Sequence, residues 1–111
     1  MNQQLKYKPK NGFITTDHQK ERFNYCAWAI DKTFNEEGLK IYDMYSLNKD
    51  TDDEHTIRIA IECNGMSYKN IKFLQDYHIY FSGVISDKKG YFGHKCIISF
   101  VYIFKEVPLT E

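Results

Sequence analysis

The histidines and cysteines are the side chains with the widest chemical range, because they bind metals and act as nucleophiles or bases. The chain has three cysteines and four histidines. His94 and Cys96 stand two residues apart in a strand-like segment and would share a face of that strand. His78, in the neighbouring strand-like segment, could complete a set of metal ligands. Because such spacing is frequent by chance, we predict no metal site.

The cysteines also fail to indicate a catalytic nucleophile. An odd number of cysteines without a CxxC pair predicts free thiols in a reducing compartment, and hence a cytoplasmic location. Cys26 and Cys63 fall among apolar residues, and burial makes a thiol inert. The chain also contains no glycine-rich phosphate loop and no serine-hydrolase motif. We therefore predict no catalytic residue and no cofactor, and we expect a non-enzymatic protein. An enzyme with a hidden pocket near His78 or His94 stays open as a third option.

Length and charge exclude further classes of protein. The chain has 111 residues, of which 42% are hydrophobic and 27% are charged. This composition predicts one globular domain over residues 1–111, with residues 1–12 as a candidate flexible basic segment. The 15 basic and 15 acidic residues balance, which argues against a surface devoted entirely to phosphate binding. No apolar run approaches the roughly 18 residues that cross a bilayer, so we predict no membrane partner.

One helix is predicted with clear signals at both ends. Thr16 and Gln19 have the spacing of a capping box, and Gly38 stands where a left-handed residue ends a helix. These signals predict a helix over residues 17–37. Its apolar residues fall on one stripe that should face the core. They are Phe23, Cys26, Ala27, Ile30 and Phe34.

The rest of the chain is dominated by strands. Strands are predicted over residues 39–47, 55–63, 77–85 and 92–104, with a turn at residues 86–90 joining the last two. The last strand is apolar on both faces and should be central in its sheet. The segment 66–74, which follows Asn64-Gly65, fits either a hairpin strand or a short helix.

These elements predict an α+β fold. We expect one long N-terminal helix packed on a four- to five-stranded, mainly antiparallel sheet. This arrangement is preferred because a second helix over residues 66–74 would be short and polar. The alternative is a ferredoxin-like βαββαβ fold with an added strand.

Aromatic residues make up 16% of the chain, more than one helix on a sheet would bury. Tyr25 and Trp28 fall on the side of the helix opposite the apolar stripe. Because an uncovered tryptophan is unfavourable and Tyr and Trp are enriched at interfaces, we predict that both contact a protein partner. Two alternatives are homodimerisation through this aromatic face and packing of the N-terminal segment over Trp28.

A run of acidic residues separates the second and third predicted elements. Its members are Asp50, Asp52, Asp53 and Glu54. We predict that this negative surface meets a basic partner, such as a nucleic-acid-binding protein, by mimicking phosphates. The leading hypothesis is therefore a small inhibitor or adaptor that blocks a macromolecular partner without chemistry. The Lys-, Asn-, Ile- and Tyr-rich composition is typical of AT-rich bacterial or phage genomes, and we expect a phage or mobile-element counter-defence protein of the anti-CRISPR kind.

A second hypothesis is single-stranded nucleic-acid binding by the segment 88–95. In such a site, aromatic side chains stack on bases and lysines neutralise phosphates. Lys89-Gly90-Tyr91 resembles the opening of the RNP1 motif of RNA-recognition domains, but the next three residues depart from that motif, so no function is carried over from it. The residues proposed to bind are Lys88, Lys89, Tyr91, Phe92 and Lys95.

Overall fold

The protein is an α+β fold with two helices and one antiparallel sheet. The structure, a computed structural model, describes residues 14–90 and 93–105, and for residues 87–90 and 93–95 it describes the backbone alone. In chain order the elements are α1 (Asp17–Glu36), β1 (Ile41–Ser46), β2 (Thr56–Cys63), α2 (Tyr68–Gln75), β3 (Ile79–Gly90) and β4 (Gly93–Ile103). The sheet has four strands in the order β1-β2-β4-β3. The predicted fold class is confirmed, and the described residues contain neither a fifth strand nor the ferredoxin-like order.

Helix α1 begins where the capping signal predicts. The Thr16 hydroxyl accepts a hydrogen bond from the Gln19 amide at 3.0 Å, and the Gln19 side chain accepts one from the Thr16 amide at 3.0 Å. The helix ends at Glu36, one residue before the predicted end. Gly38 then adopts a φ of +69°, a conformation that glycine takes without steric strain.

The buried side of α1 is wider than the predicted apolar stripe. At 100° per residue the buried side chains cover an arc of about 200°. Within this arc, Asn70 of α2 hydrogen-bonds to Thr33, and the Tyr77 ring packs against Tyr25. The buried residues of α1 are Gln19, Arg22, Phe23, Tyr25, Cys26, Ala27, Ala29, Ile30, Thr33 and Phe34.

The segment 66–74 contains most of a helix, α2, which begins at Tyr68 and ends at Gln75, so the hairpin alternative is wrong. Ser67 caps α2 by accepting a hydrogen bond from the Asn70 amide at 3.1 Å, and the Asn70 side chain accepts one from the Ser67 amide at 2.9 Å. Asn70 also ties the helix to α1, because its Nδ2 donates to the Thr33 carbonyl at 3.2 Å. Asn64, expected to open a hairpin, instead accepts a hydrogen bond from the Lys40 amide at 2.9 Å.

The two faces of the sheet have different surroundings. Both helices pack on one face, which we call the helix face. The other, which we call the open face, is covered by no helix of the described chain. On the helix face lie Ile57, Ile59, Ile61 and Cys63 of β2 with Ile98, Phe100 and Tyr102 of β4, all buried. On the open face lie Arg58, Ala60 and Glu62 of β2, Ile97, Ser99, Val101 and Ile103 of β4, and Tyr80 of β3.

Strand β4 lies between β2 and β3, which confirms its predicted central position. The turn predicted at residues 86–90 is wrong, because β3 continues through them until Gly90 pairs with Gly93. Two register shifts in β3 each insert one residue, between Phe81 and Gly83 and between Val84 and Ser86. The polar residues that indicate a turn therefore lie within the paired strand. The other strand ends fall within two residues of their predicted bounds.

Candidate functional site

The acidic loop, residues 50–54 between β1 and β2, is held in place by a buried asparagine. Asn48 is 4% exposed. Its Nδ2 donates to the Thr56 carbonyl at 2.6 Å and its Oδ1 accepts from the Arg58 amide at 2.8 Å. Because these bonds fix β2 against the end of β1, the loop between them has a defined shape.

Two of the four acids in the loop also hydrogen-bond within it. Asp52 accepts from the Lys49 amide at 2.9 Å, and this bond is the main reason that the pKa of Asp52 is lowered. Asp53 accepts from the His55 amide at 2.7 Å, which likewise lowers the pKa of Asp53. Arg58 adds a weaker contact, its Nε lying 3.4 Å from Asp52. Both carboxylates therefore stay charged and shape the loop.

We expect acidification to weaken this loop. A folded-state pKa below the ordinary value of about 3.9 stabilises the protein above that pH, and the stabilisation is lost as the pH falls through the folded pKa. The free energy of unfolding of the wild type, measured in urea from pH 6 downwards, should fall more steeply below about pH 4 than that of Asp53→Asn. Parallel curves for the two proteins would show that the Asp53 charge contributes no stability.

The remaining acids, Asp50 and Glu54, are exposed. Together with Asp52 they line a groove of about 300 Å³ against the start of α1, where Gln19 and Lys49 form part of the lining, so that the acids outnumber the single lysine. Carboxylates form their strongest hydrogen bonds with lysine and arginine. The groove therefore suits a basic side chain of a partner.

An apolar surface on the open face adjoins this loop. Ile103 is 60% exposed and Tyr80 is 46% exposed. Val101, between them on the sheet, is half-buried. Arg58 pairs in register with Val101 and contacts Asp52, so it joins the apolar surface to the acidic loop. The sequence showed that β4 is apolar on both faces, but did not show that the helices cover only one of them.

The expected exposure of Tyr25 is wrong. Tyr25 is 2% exposed and packs against Tyr77, with ring centroids 6.1 Å apart, and against Tyr102, at 5.9 Å. Trp28 is half-buried, with the Tyr77 ring 6.2 Å away and the Lys32 ammonium 5.2 Å from its centroid. Tyr77, which follows α2, packs on the side of α1 that lies outside the predicted apolar stripe. A buried Tyr25 offers no area to a partner.

The structure does not bring Trp28 and the acidic loop together. The groove beside the loop uses Gln19 in the first turn of α1. Trp28 lies nine residues later, about 14 Å further along the helix. The alternative prediction is that the N-terminal segment packs over Trp28. That segment lies outside the described residues except for Ile14, which is 5% exposed.

The proposed nucleic-acid site falls mostly outside the structural description. The side chains of Lys88, Lys89 and Lys95 are not described, although their backbones belong to β3 and β4. Tyr91 and Phe92 lie outside the described residues altogether. This site therefore stays a prediction from sequence.

A buried arginine is a polar feature that the sequence did not indicate. Arg22 is 9% exposed and donates from Nη1 to the Tyr102 hydroxyl at 2.8 Å, and its guanidinium carbon lies 5.1 Å from the Phe104 ring centroid. Burial raises the pKa of Tyr102 to about 12, so the hydroxyl stays protonated. Arg22 ties α1 to β4, and its Nε atom has no hydrogen-bond partner.

Burial limits the reactivity of two of the three thiols, and the described side chains form no cluster of metal ligands. Within residues 14–86 and 96–105, no three acids, histidines or cysteines are grouped as metal ligands. Burial raises the pKa of the Cys26 thiol well above its ordinary value and that of Cys63 to about 12. The predicted burial of these two thiols is confirmed.

Comparisons with known proteins give no further direction. No family model, curated protein or solved structure matches this chain. Neither helix in the described part of the chain has the length and apolar composition that crossing a bilayer requires. Conclusions about function therefore rest on the geometry of the open face and the acidic loop.

Proposed function

We propose that this chain is a non-enzymatic protein-binding domain that acts by covering a surface of a basic protein. The observation that carries the proposal is the exposure of Ile103, 60%, and Tyr80, 46%, on the open face beside an ordered acidic loop. An apolar centre with a charged rim is the usual composition of a protein interface. Burying Ile103 and Tyr80 against a partner supplies affinity, and the acidic loop supplies orientation.

The charge of the loop favours a basic partner. Asp50 and Glu54 are exposed, whereas the hydrogen bonds of Asn48 already fix the loop that carries them. A loop ordered before binding loses little entropy when it binds. Proteins that bind nucleic acid present basic grooves of the complementary charge, so an inhibitor that blocks such a groove fits this surface. A phage or mobile-element counter-defence inhibitor of the anti-CRISPR kind is the specific form of this proposal that the composition suggests.

The open face is tested by a matched pair of substitutions. Ile103→Asp places a charge within the proposed interface. Val84→Asp, at a residue 61% exposed on the outer strand β3, makes the same chemical change outside the proposed interface. Wild-type protein and both variants are used to capture partners from nuclease-treated bacterial lysate. The captured protein is then purified, and its Kd for each variant is measured by calorimetry.

We expect Ile103→Asp to weaken binding at least tenfold and Val84→Asp to change it less than twofold. The double variant Asp50→Lys, Glu54→Lys should weaken binding and reduce its dependence on salt. Asp52 and Asp53 are left unchanged because they hold the loop together.

Several results would contradict the proposal. One is equal loss of affinity in both aspartate variants, and another is an affinity that neither variant changes. A wild-type dimer in light scattering that Ile103→Asp converts to a monomer would assign the open face to a second copy of this chain. Steeply salt-dependent binding of single-stranded nucleic acid, with no protein partner, would instead support a nucleic-acid site at residues 88–95.

A further inference from the structure

Two of the three cysteines lie side by side across the sheet. Cys63 of β2 and Cys96 of β4 are register partners in the antiparallel pairing. Their sulfur atoms are 3.6 Å apart. Directly opposite residues of antiparallel strands have Cα atoms about 4.5–5.5 Å apart, within the range that a disulfide spans. The sulfurs need to approach by only about 1.6 Å to reach bonding distance.

The two sulfurs differ in their access to solvent. Cys63 is buried, whereas Cys96 is half-buried at the start of the described side chains of β4. An oxidant in solution therefore meets Cys96 first. Cys26, the third cysteine, is buried within α1 and serves as an internal reference.

We propose that Cys63 and Cys96 are a redox-active pair that closes to a cross-strand disulfide with a small-molecule disulfide, such as glutathione disulfide, as oxidant. This inference is independent of the function proposed for the open face. In the first step, the Cys96 thiolate attacks one sulfur of glutathione disulfide. A mixed disulfide forms on Cys96, the sulfur–sulfur bond of the oxidant breaks, and one glutathione thiolate leaves.

In the second step Cys63 loses its proton to solvent and attacks the Cys96 sulfur. The protein disulfide forms, the mixed disulfide breaks, and the second glutathione leaves. Altogether, two protein thiols lose two electrons and two protons, while one glutathione disulfide becomes two glutathione thiols. A dithiol reductant reverses both steps by the same exchange.

The buried position of Cys63 controls the rate of closure. Burial is the main reason that the pKa of Cys63 is about 12, so few Cys63 thiols are deprotonated at neutral pH. Because the thiolate is the attacking species, the second step should be slow at pH 7 and about tenfold faster for each unit of pH above it.

Closure should stabilise the fold measurably. The bond would enclose the chain from Cys63 to Cys96, which includes α2 and β3. Because closing a loop of this length lowers the conformational entropy of the unfolded chain, Tm should rise by roughly 10 °C.

The experiment uses the full chain incubated with glutathione disulfide at pH 8 and then analysed by intact mass, peptide mapping and thermal unfolding. The wild type and Cys26→Ala should each lose the mass of two hydrogen atoms and contain one Cys63–Cys96 disulfide. The Tm of both proteins should rise, and dithiothreitol should return it to its starting value. Cys63→Ser should instead keep one glutathione on Cys96, because it has no thiol to complete the second step.

Other outcomes would overturn the proposal. One is a wild type that retains glutathione on Cys96 without closing. Another is a Cys63→Ser variant in which Cys96 never carries glutathione, since the first step requires Cys96 to attack glutathione disulfide. A disulfide that joins two chains, or that involves Cys26, would also contradict the assigned pair.

Discussion

Replacing Phe100 by alanine should lower the free energy of unfolding by about 3–5 kcal/mol. Phe100 is 1% exposed in the middle of β4, where it pairs in register with Ile59 and meets the Phe81 ring edge-on at a centroid distance of 5.9 Å. Truncation removes this buried ring and leaves a cavity between the sheet and the helices. Urea unfolding monitored by circular dichroism measures the loss.

The neighbouring residue provides the control for Phe100. Val101 lies on the open face and is half-buried, so Val101→Ala should lower stability by about 1 kcal/mol or less. The two variants remove apolar atoms from adjacent positions of one strand, a phenyl ring at Phe100 and two methyl groups at Val101, and they test opposite faces of the sheet. Similar losses for both would mean that both faces of β4 are buried, and the open face could not then bind a partner.

Replacing Asn70 by alanine should lower the free energy of unfolding by about 2–3 kcal/mol. Asn70 is fully buried, and its side chain joins the capping box of α2 to the Thr33 carbonyl of α1. Alanine leaves the Ser67 amide without its side-chain acceptor and the Thr33 carbonyl without this donor. Leaving a buried polar group without a hydrogen-bond partner lowers the stability of the fold by more than an exposed hydrogen bond contributes to it. Urea and thermal unfolding both report this loss.

Two further variants separate the roles of Asn70. Ser67→Ala removes the cap alone and should lower stability by about 1 kcal/mol. Asn70→Asp keeps the acceptor but loses the donor to Thr33. Burial should raise the folded-state pKa of that new carboxyl, so this variant should become more stable, relative to the wild type, as the pH falls. If Asn70→Ala destabilises the fold no more than Ser67→Ala does, the hydrogen bond to α1 contributes nothing.

Local sequence signals predicted most of the fold. The Thr16–Gln19 pair located the start of α1, and the two-faced apolar pattern of β4 located the centre of the sheet. These signals depend on residues close in the chain. The register shifts in β3 have no local signal, so residues 86–90 were expected to be a turn. Tyr25 was misplaced because a helical wheel does not show that Tyr77 packs on the flank of α1.

The candidate site was only partly predictable. The acidic loop was identified from its composition, but the hydrogen bonds of Asp52 and Asp53 to the Lys49 and His55 amides depend on the conformation of the loop. The contact between Cys63 and Cys96 depends on the pairing of β2 with β4, which spacing along the chain does not give. The open face likewise depends on which side of the sheet the helices occupy.

The register shifts have a consequence for how the sheet meets other chains. Both of its outermost strands carry them, β1 between Ile41 and Asp43 and β3 at two places. Irregular edges of this kind interrupt the regular ladder that an incoming strand would need, and natural sheets use them against edge-to-edge aggregation. The protein can thus expose an apolar sheet face while its irregular edges disfavour the addition of another strand.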